Sequence, residues 1–529
     1  MGQLTRVIQS IDVLQAAADS RVPADGAAED SMRDSLTHFN RPDSPSIPGP
    51  NNIHKRPASV DAVLMFLIFA AAGVLIALSS LDAPFFWDDL HLVRTHTQAE
   101  LARAWSDTYD ADHMGPPGFR PLSMYFEHIR ATVFGESVVG HRLFLIAVFA
   151  VFLTLAGLLA RELFSAGLWQ VSLGGLFGLL HVDSVTHYLW PTDGIFLVTG
   201  SLTLGALLAF VRAWKSGRLA WLALAFTCTA LALFTREDSL VIYPLIVWFG
   251  GMLALDAEAR RSVRTLGAPA MGMFAAASLL VLIGFWWWRA AAVPDAIEPR
   301  IDIEALLWAA AHTVQNAGTS DRLLVPWPRY EMMITVWYVW LAAVAAAALA
   351  WLDRPGRRAL LCWGVAILIS AAPAMVVARA NLLLLPAAFW GLLLANVLAC
   401  AWSRARHLLW RGVISGLILV GVALPALGSY IFQQELRPRN LQWMCRNALI
   451  LYDVVGEASV PAARRAAVQE QLDSFGISGA EELGGRWRAL ERVAQAEGRY
   501  GVNAQQEPFI PRFEFLPQFR LHPRCEPPR

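Results

Sequence analysis

Charge is the first thing this sequence is short of. Asp, Glu, Lys and Arg supply 16% of the 529 residues against 56% hydrophobic residues, and the mean hydropathy is +0.43. That balance excludes an ordinary soluble enzyme. The 43 basic and 43 acidic residues cancel, so there is no cationic excess to attract nucleic acid. Lysine is nearly missing: only Lys55 and Lys215 occur, and arginine carries the rest of the positive charge, a bias of GC-rich bacterial genomes. No signal peptide with a small-residue cleavage site opens the chain, so its first apolar run is expected to be retained. No repeat of fixed period is visible, and no His or Cys pair has the clean spacing of a zinc site.

What is abundant is uninterrupted apolar sequence, in blocks of roughly 18–23 residues, the length that crosses a hydrocarbon core as a helix. Eleven are predicted, near 61–81, 141–160, 167–186, 194–214, 219–236, 239–255, 266–288, 332–352, 359–378, 381–402 and 412–430. Backbone polar groups must be satisfied inside lipid, so these are expected to be helices. Basic residues orient the bundle. Lys55 and Arg56; Arg161; Arg212, Lys215 and Arg218; Arg260, Arg261 and Arg264; Arg354, Arg357 and Arg358; and Arg404, Arg406 and Arg411 fall on one side. The short loops opposite hold little beyond Arg236 and Arg379. The positive-inside rule then puts the N-terminus in the cytoplasm and the C-terminus outside, in the periplasm of a bacterial inner-membrane protein.

Three regions follow. Residues 1–57, rich in Pro, Ser and Asp, read as a mobile cytosolic tail; 58–430 as the membrane domain; 431–529 as a small, mostly helical periplasmic domain. Two long outer segments interrupt the membrane domain, 82–140 and 289–331. In the first, Leu101, Ala104 and Trp105 and then Met124, His128 and Ile129 recur at helical spacing, as in helices lying on a membrane surface. Cys228, Cys362 and Cys400 fall inside apolar runs as small buried hydrophobes. Cys445 and Cys525 lie in the outer tail, where an oxidising compartment favours a disulfide over two free thiols. Closing a loop of about 80 residues contributes roughly 4 kcal/mol in the chain-entropy account.

Directly after the first run stands Phe85-Phe86-Trp87-Asp88-Asp89-Leu90, an acidic pair on an aromatic shelf at the membrane edge. Carboxylates are expensive to desolvate there, so their default reading is functional. The plain alternative is a helix N-cap beside an ordinary interfacial charge. Two adjacent carboxylates also have the donor type for a divalent cation. No cofactor is required on the present reading, with a divalent metal at Asp88 and Asp89 as the alternative.

Several strings resemble those of the GT-C glycosyltransferases. Phe86-Trp87-Asp88-Asp89 resembles their acidic motif after the first span. Phe119-Arg120-Pro121-Leu122, Phe134-Gly135 and His141 resemble an "RPL … FG … H" progression into the second. His181-Val182-Asp183-Ser184-Val185 with Asp193 resembles the "HPxHxExV … D" stretch of the O-mannosyltransferase branch, which is ArnT-like in overall plan, and Thr235-Arg236-Glu237-Asp238 falls where that branch has a Lys-Glu pair. Leu324 to Tyr330 is similar to its "PxPLxxDY" loop and Arg379 with Leu382 to Pro386 to its "RYLYLP" string. Ala380 stands where the branch has Tyr, and the tail is not its TPR array.

The resemblance implies a polytopic all-α fold of the GT-C type, with amphipathic helices in the first outer loop. It also implies inverting transfer of a sugar from a polyprenyl-phosphate carrier to an acceptor hydroxyl on a lipid, glycan or protein. A carboxylate within reach of that hydroxyl can take its proton, and Asp88 or Asp89 is the expected base, Asp88 preferred with Asp89 capping a helix. The leaving phosphate needs cations, and a guanidinium fork can engage two of its oxygens. Arg236, Arg379 and Arg120 are the candidates. Their structural alternatives are an Arg236–Glu237 pair, an interfacial Arg379, and an Arg120–Glu127 pair. Asp193, Glu237, His187 and Tyr330 are expected to line the substrate site, with His181 and Asp183 in polar contacts between helices. Trp286-Trp287-Trp288 reads as an interfacial aromatic belt. The rivals are a transporter or lipid flippase, which predicts ionisable residues at mid-membrane and related halves, a glycan polymerase or ligase, and a non-catalytic scaffold.

Overall fold

The long apolar stretches form helices throughout, as backbone groups without access to water require. The computed structural model describes residues 58–82, 93, 95–109, 118–135, 137–255, 267–293, 303–315, 328–375 and 380–430. The 1–57 tail, Asp88, Asp89, Arg379 and the 431–529 segment with Cys445 and Cys525 lie outside them. In chain order the helices are α1 (Ala58–Ala77), α2 (Gln98–Arg103), α3 (Pro121–Phe134), α4 (Val138–Phe164), α5 (Leu168–Leu180) and α6 (Val182–Leu189). After these come α7 (Gly194–Ser216), α8 (Leu219–Thr235), α9 (Ile242–Ala254), α10 (Ala268–Ala292) and α11 (Ile303–Gln315). The last are α12 (Pro328–Trp351), α13 (Arg354–Ala371), α14 (Leu384–Arg404) and α15 (Leu408–Tyr430). No strand occurs among the described residues.

Eight of the described helical segments are long and apolar enough to cross a membrane, and three shorter apolar helices, Leu168–Leu180, Leu219–Thr235 and Thr335–Trp351, stand at the other predicted positions. Large apolar side chains such as Leu75, Val247, Leu280, Leu349 and Leu419 point outward, the arrangement expected where the solvent is lipid. The chain is a multi-pass membrane protein.

One prediction fails at the third apolar run, expected to continue to residue 186. The helix stops at Leu180, His181 turns to an extended backbone (φ −61°, ψ 128°), and Val182–Leu189 starts afresh. The break has a partner: a ring nitrogen of His181 hydrogen-bonds the Thr313 carbonyl oxygen at 2.9 Å, which a continuous helix would forgo.

The main core gathers side chains from α1, α4, α5, α7, α9, α13 and α14. Close approach of α5 to α14 depends on missing side chains. A Cβ on Gly391 would lie 2.3 Å from the Gly174 carbonyl oxygen and 2.8 Å from the Gly178 nitrogen. Small residues that let backbones touch are the usual device for packing helices in lipid, where burial alone gives no drive. At one end of the bundle, Arg161, Arg212 and Arg404, in the last turns of α4, α7 and α14 or just before them, close ion pairs with Asp61 (2.5 Å), Glu162 (2.9 Å) and Asp353 (2.8 Å). Cations there also complement the helix dipoles.

The opposite end carries the first long loop. Thr97 and Glu100 close a capping box on α2, with the Glu100 N–H donating to Thr97 Oγ1 at 3.2 Å and the Thr97 N–H to Glu100 Oε2 at 2.7 Å. His96 N–H donates to His128 Nδ1 (2.9 Å), tying α2 to α3. The α3 face differs from the expected one. Met124 packs on Leu101 and Ala104, but Ile129 and Val133 are exposed, because the buried stripe is Ser123, Met124, Glu127, Arg130 and Ala131. A polar stripe goes inward since Glu127 pairs with Arg130, whose Nη1 donates to the Pro191 carbonyl at 2.6 Å.

Candidate functional site

The Phe134-Gly135 … His141 progression is a local lock at the start of α4. Gly135 takes φ +53°, a backbone that favours glycine, and its carbonyl oxygen bonds His141 Nε2 at 2.9 Å while Phe134 packs on the imidazole. The next residue, buried Arg142, donates to the Leu189 and Leu81 carbonyls, both at 2.9 Å. It joins the ends of α1 and α6, and nothing in the sequence pattern singled it out.

The turn between α8 and α9 is where predicted site residues meet. Thr235 ends α8, Arg236 adopts an extended backbone (φ −159°, ψ 141°), and Glu237–Val241 forms a 3-10 turn. The Ser123 hydroxyl of α3 donates to the Thr235 carbonyl at 2.6 Å, fastening the first loop to this turn. Glu237 does not pair with Arg236, as one reading of the sequence had it. Its carboxylate takes Arg120 (3.5 Å) and Arg289 (3.0 Å), while Arg236 Nε donates to Asp238 Oδ1 at 2.9 Å. Arg120 is correspondingly not paired with Glu127, which is taken by Arg130. The physical reason is backbone direction: an extended Arg236 turns its side chain away from its successor, so Asp238, two residues on, meets it.

Arg236 lies with its guanidinium carbon 3.5 Å from the centre of the Phe196 ring, close enough for a cation–π contact. Phe196 also meets His187, ring to ring at 5.2 Å, and His187 Nδ1 is 3.7 Å from Asp193 Oδ2. Asp193, His187, Phe196, Arg236 and Asp238 therefore form one connected series. Burial works to lower the pKa of Arg236, Asp238 opposes it, and the neighbouring Arg120 adds to the lowering; the net direction is down, from a value high enough that the group stays charged. For Arg120 burial also acts downward, but Tyr109, Glu237 and Asp238 outweigh it and the net direction is up.

Phe196 and Asp238 both line a cleft with about 370 Å³ of empty space, part of it open to the outside. Its walls come from the first turns of α7 (Thr199, Gly200, Thr203), the 3-10 turn, the end of α13 and its 3-10 extension (Ser370, Pro373), and Leu382, Leu384 and Leu385. The wall hydroxyls turn back on their own backbone: Thr199 donates to the Ile195 carbonyl (2.8 Å), Thr203 to Thr199 (2.8 Å), Ser239 to Arg236 (2.7 Å) and Ser370 to Ile367 (3.0 Å). The lining is therefore mostly apolar with few free donors, and its charged residue is Asp238, the partner of Arg236. Arg379 lies outside the described residues, and the segments on either side of it, Ala372–Met375 and Ala380–Leu383, each lend a residue to the cleft.

A second cluster covers the turn. Trp105, Phe119, Phe234, Phe285 and Trp288 pack ring on ring at 5.5–6.3 Å, and Trp288 Nε1 donates to the Trp105 carbonyl at 2.6 Å. Trp288, read as part of an interfacial belt, thus also binds the first loop. Tyr330 falls in the first turn of α12, and its side chain, like those of Asp183 and Glu331, is outside the described set. Among the described residues no three His, Cys, Asp or Glu side chains gather as for a metal ion. Arg289, Phe196 and Arg130 escaped sequence reasoning, since none stands in a recognisable string, and Asp238 stood in the Thr235–Asp238 string without a role of its own.

No protein-family model matches this sequence, and no curated protein matches it. Among solved structures the chain is similar to ArnT from Cupriavidus metallidurans bound to undecaprenyl phosphate, with 13% identity and a TM-score of 0.46 over 75% of this chain and 81% of that one. It is also similar to the archaeal oligosaccharyltransferase AglB from Archaeoglobus fulgidus in complex with an inhibitory peptide and a dolichol-phosphate. There the identity is 15% and the TM-score 0.38, over 78% of this chain and 59% of that one.

Proposed function

We propose that this protein is an integral-membrane glycosyltransferase of the GT-C kind that moves a sugar from a polyprenyl-phosphate carrier to an acceptor hydroxyl, with inversion, at the outer face of a bacterial inner membrane. The observation that carries this reading is a largely apolar cleft two of whose wall residues, Phe196 and Asp238, are in contact with Arg236, which suits a ligand with a greasy chain in the cleft and an anionic head beside it. The sequence strings around Asp88, Arg120, Arg236 and Arg379 support it from a separate direction. The positive residues at the opposite end of the helices support placing the Arg236 turn outside.

In the proposed reaction the carrier's isoprenoid chain lies in the cleft and its phosphate is held by Arg236 and Arg379, with Arg120 alongside. The acceptor oxygen attacks the anomeric carbon from the face opposite the phosphate. Its proton passes to Asp88 or Asp89, and the carbon–oxygen bond to phosphate breaks with the electron pair leaving on the phosphate. A single displacement of this kind inverts the anomeric centre. In the proposed site His187 and Asp193, joined to Arg236 through Phe196, contact sugar hydroxyls, and Glu237 and Tyr330 are further substrate contacts. The transfer needs no metal on this account; a divalent ion at the acidic pair is the alternative.

The test is the double variant Asp88→Asn, Asp89→Asn in cells otherwise lacking the protein, read by their lipid-linked sugar and glycan profile. The wild-type chain should restore the profile and the double variant should leave the lipid-linked sugar accumulated. Full sugar transfer by the double variant rejects the base assignment.

A further inference from the structure

At the basic end of the bundle, the turn between α12 and α13 lies against the turn between α14 and α15. Asp353, the residue before α13, accepts from Arg404 Nη2 at 2.8 Å, and Arg404 is the last residue of α14. The rings of Trp351, ending α12, and Trp410, in the first turn of α15, meet edge to face at 5.4 Å. The Asn396 amide of α14 also donates to the Gly356 carbonyl at 3.4 Å. Residues 351–357 and 402–411 therefore share one surface, although they are distant in the chain.

Its charge is almost all of one sign. Arg354, Arg357, Arg404, Arg406 and Arg411 stand exposed on it, and from residue 332 to residue 430 Asp353 is the one acidic residue. That carboxylate is already shared: Oδ1 takes the Gly356 N–H at 2.8 Å, capping α13, and Oδ2 takes Arg404. Asp61 and Glu162, at the same end, are held by Arg161 and Arg212. Among the described residues Arg357 finds the Leu352 carbonyl at 3.3 Å, Arg411 spends only its Nε–H, on the Ala405 carbonyl at 2.9 Å, and Arg354 and Arg406 meet no acceptor. A guanidinium has five N–H donors, so most of this capacity is unspent. The surface is not simply hydrophilic, however. Trp402 and Trp410 are 36% and 45% exposed among the cations, with the Arg411 guanidinium 6.0 Å from the Trp402 ring centre, and Leu408 and Leu409 beside them point outward. Cations, indoles and outward hydrocarbon side by side match what the headgroup region of a leaflet presents.

We propose that this surface binds an anionic phospholipid of the surrounding bilayer, with its phosphate held by Arg406 and Arg411, Arg354 and Arg357 alongside, and its acyl chains on the outward leucines of α12 and α15. A guanidinium fork can give two parallel N–H bonds to one phosphate. A choline headgroup carries the same phosphate together with a cation that the arginines repel, so the acidic headgroup is selected. Bound there, the lipid braces the α12–α13 turn against the α14–α15 turn. The site lies at the end of the bundle away from the Arg236 turn. It depends on the chain being a membrane protein and is independent of sugar transfer.

The test is thermal unfolding of the full chain in detergent, followed by intrinsic fluorescence, while phosphatidylglycerol, phosphatidylcholine of the same acyl chains, or inorganic phosphate is titrated in. Phosphatidylglycerol should raise the melting temperature to a plateau, and phosphatidylcholine should not. In the double variant Arg406→Gln, Arg411→Gln the half-saturating phosphatidylglycerol concentration should rise about tenfold, the scale set by two arginines beside an anionic headgroup. Asp353→Asn keeps an N-cap for α13 and removes the competing charge, so it should lower that concentration severalfold. Arg218→Gln, at an exposed arginine on the α7–α8 turn, should leave it unchanged. Should the double variant melt below the wild type without lipid, Arg406→Gln alone decides, since that side chain has no acceptor among the described residues to lose. Unchanged half-saturation in the deciding variant overturns the site. So does an equal loss in Arg218→Gln, which would mean diffuse surface charge, and so does an equal effect of phosphatidylcholine or of inorganic phosphate.

Discussion

Removing the Glu127 carboxylate isolates a guanidinium that nothing outside can reach. The Arg130 side chain is 0% exposed and that of Glu127 8%, and apart from Glu127 the Arg130 fork has the Pro191 carbonyl at 2.6 Å and the Phe126 ring at 5.4 Å. Breaking a buried ion pair by deleting one partner typically costs about 3–5 kcal/mol, because the remaining charge stays desolvated. The surviving bond to Pro191 puts Glu127→Ala near the lower end, about 3 kcal/mol. Glu127→Gln keeps an acceptor beside the cation and should lose about half as much, in line with a hydrogen bond to a charged group being worth roughly 1.5–3 kcal/mol. The decisive variant is Glu127→Ala combined with Arg130→Met. Replacing a whole buried pair by apolar side chains is often neutral, so the double change should recover most of the stability that Glu127→Ala loses. Thermal unfolding in detergent, followed by intrinsic fluorescence without ligand, measures all three. The reasoning is wrong if Glu127→Ala melts with the wild type, or if the double variant is no more stable than Glu127→Ala. The pair also reaches the site, since Arg130 holds the Pro191–Asp193 turn, and Glu127→Ala should lower transfer activity even below its melting range.

Two further outcomes follow from single contacts. Arg236→Lys keeps the charge but loses the flat contact with Phe196 and the fork toward Asp238; kcat/KM for transfer should fall about tenfold, roughly 1.4 kcal/mol of transition-state stabilisation, and wild-type kinetics would show that Arg236 acts only as a point charge. Gly391→Ala drives a methyl into the backbone of α5, at 2.3 Å from the Gly174 carbonyl oxygen, and should destabilise by about 1–3 kcal/mol. Gly364→Ala, on α13 with nothing within 4 Å, is the matched control and should melt at or above the wild type. Equal melting of the two variants would mean that α5 and α14 do not touch as described.

The membrane helices were legible because hydropathy and length act on contiguous residues. All eleven apolar runs correspond to helices, and the run that went wrong, 167–186, did so at His181, whose ring bonds the Thr313 carbonyl of a distant element. The site was legible only in part, for the same reason. Arg120, Arg236 and Glu237 stood in strings with a recognisable pattern, yet which side chains they pair with did not follow from it. Arg289 lies at the end of an apolar run beside three tryptophans, where interfacial anchoring explains it equally well until Glu237 is seen next to it. Asp238 was passed over because the adjacent Glu237 seemed the natural mate of Arg236, and only the extended backbone at Arg236 reverses the choice. The Glu127–Arg130 pair shares one helix face at three-residue spacing, and that spacing alone does not reveal that the face turns inward.

The wall of the cleft has a consequence for what it can recognise. Thr199, Thr203, Ser239 and Ser370 have each committed their proton to a backbone carbonyl, so a chain lying along them finds no donor at which to stop. Such a surface holds a hydrocarbon without indexing it. A guest could slide by a methylene or an isoprene unit at little cost, and the Arg236–Asp238 pair beside the cleft would set where it comes to rest. Length would then be read poorly and the head group well, so that carriers of different size could share one berth as long as they present the same terminus.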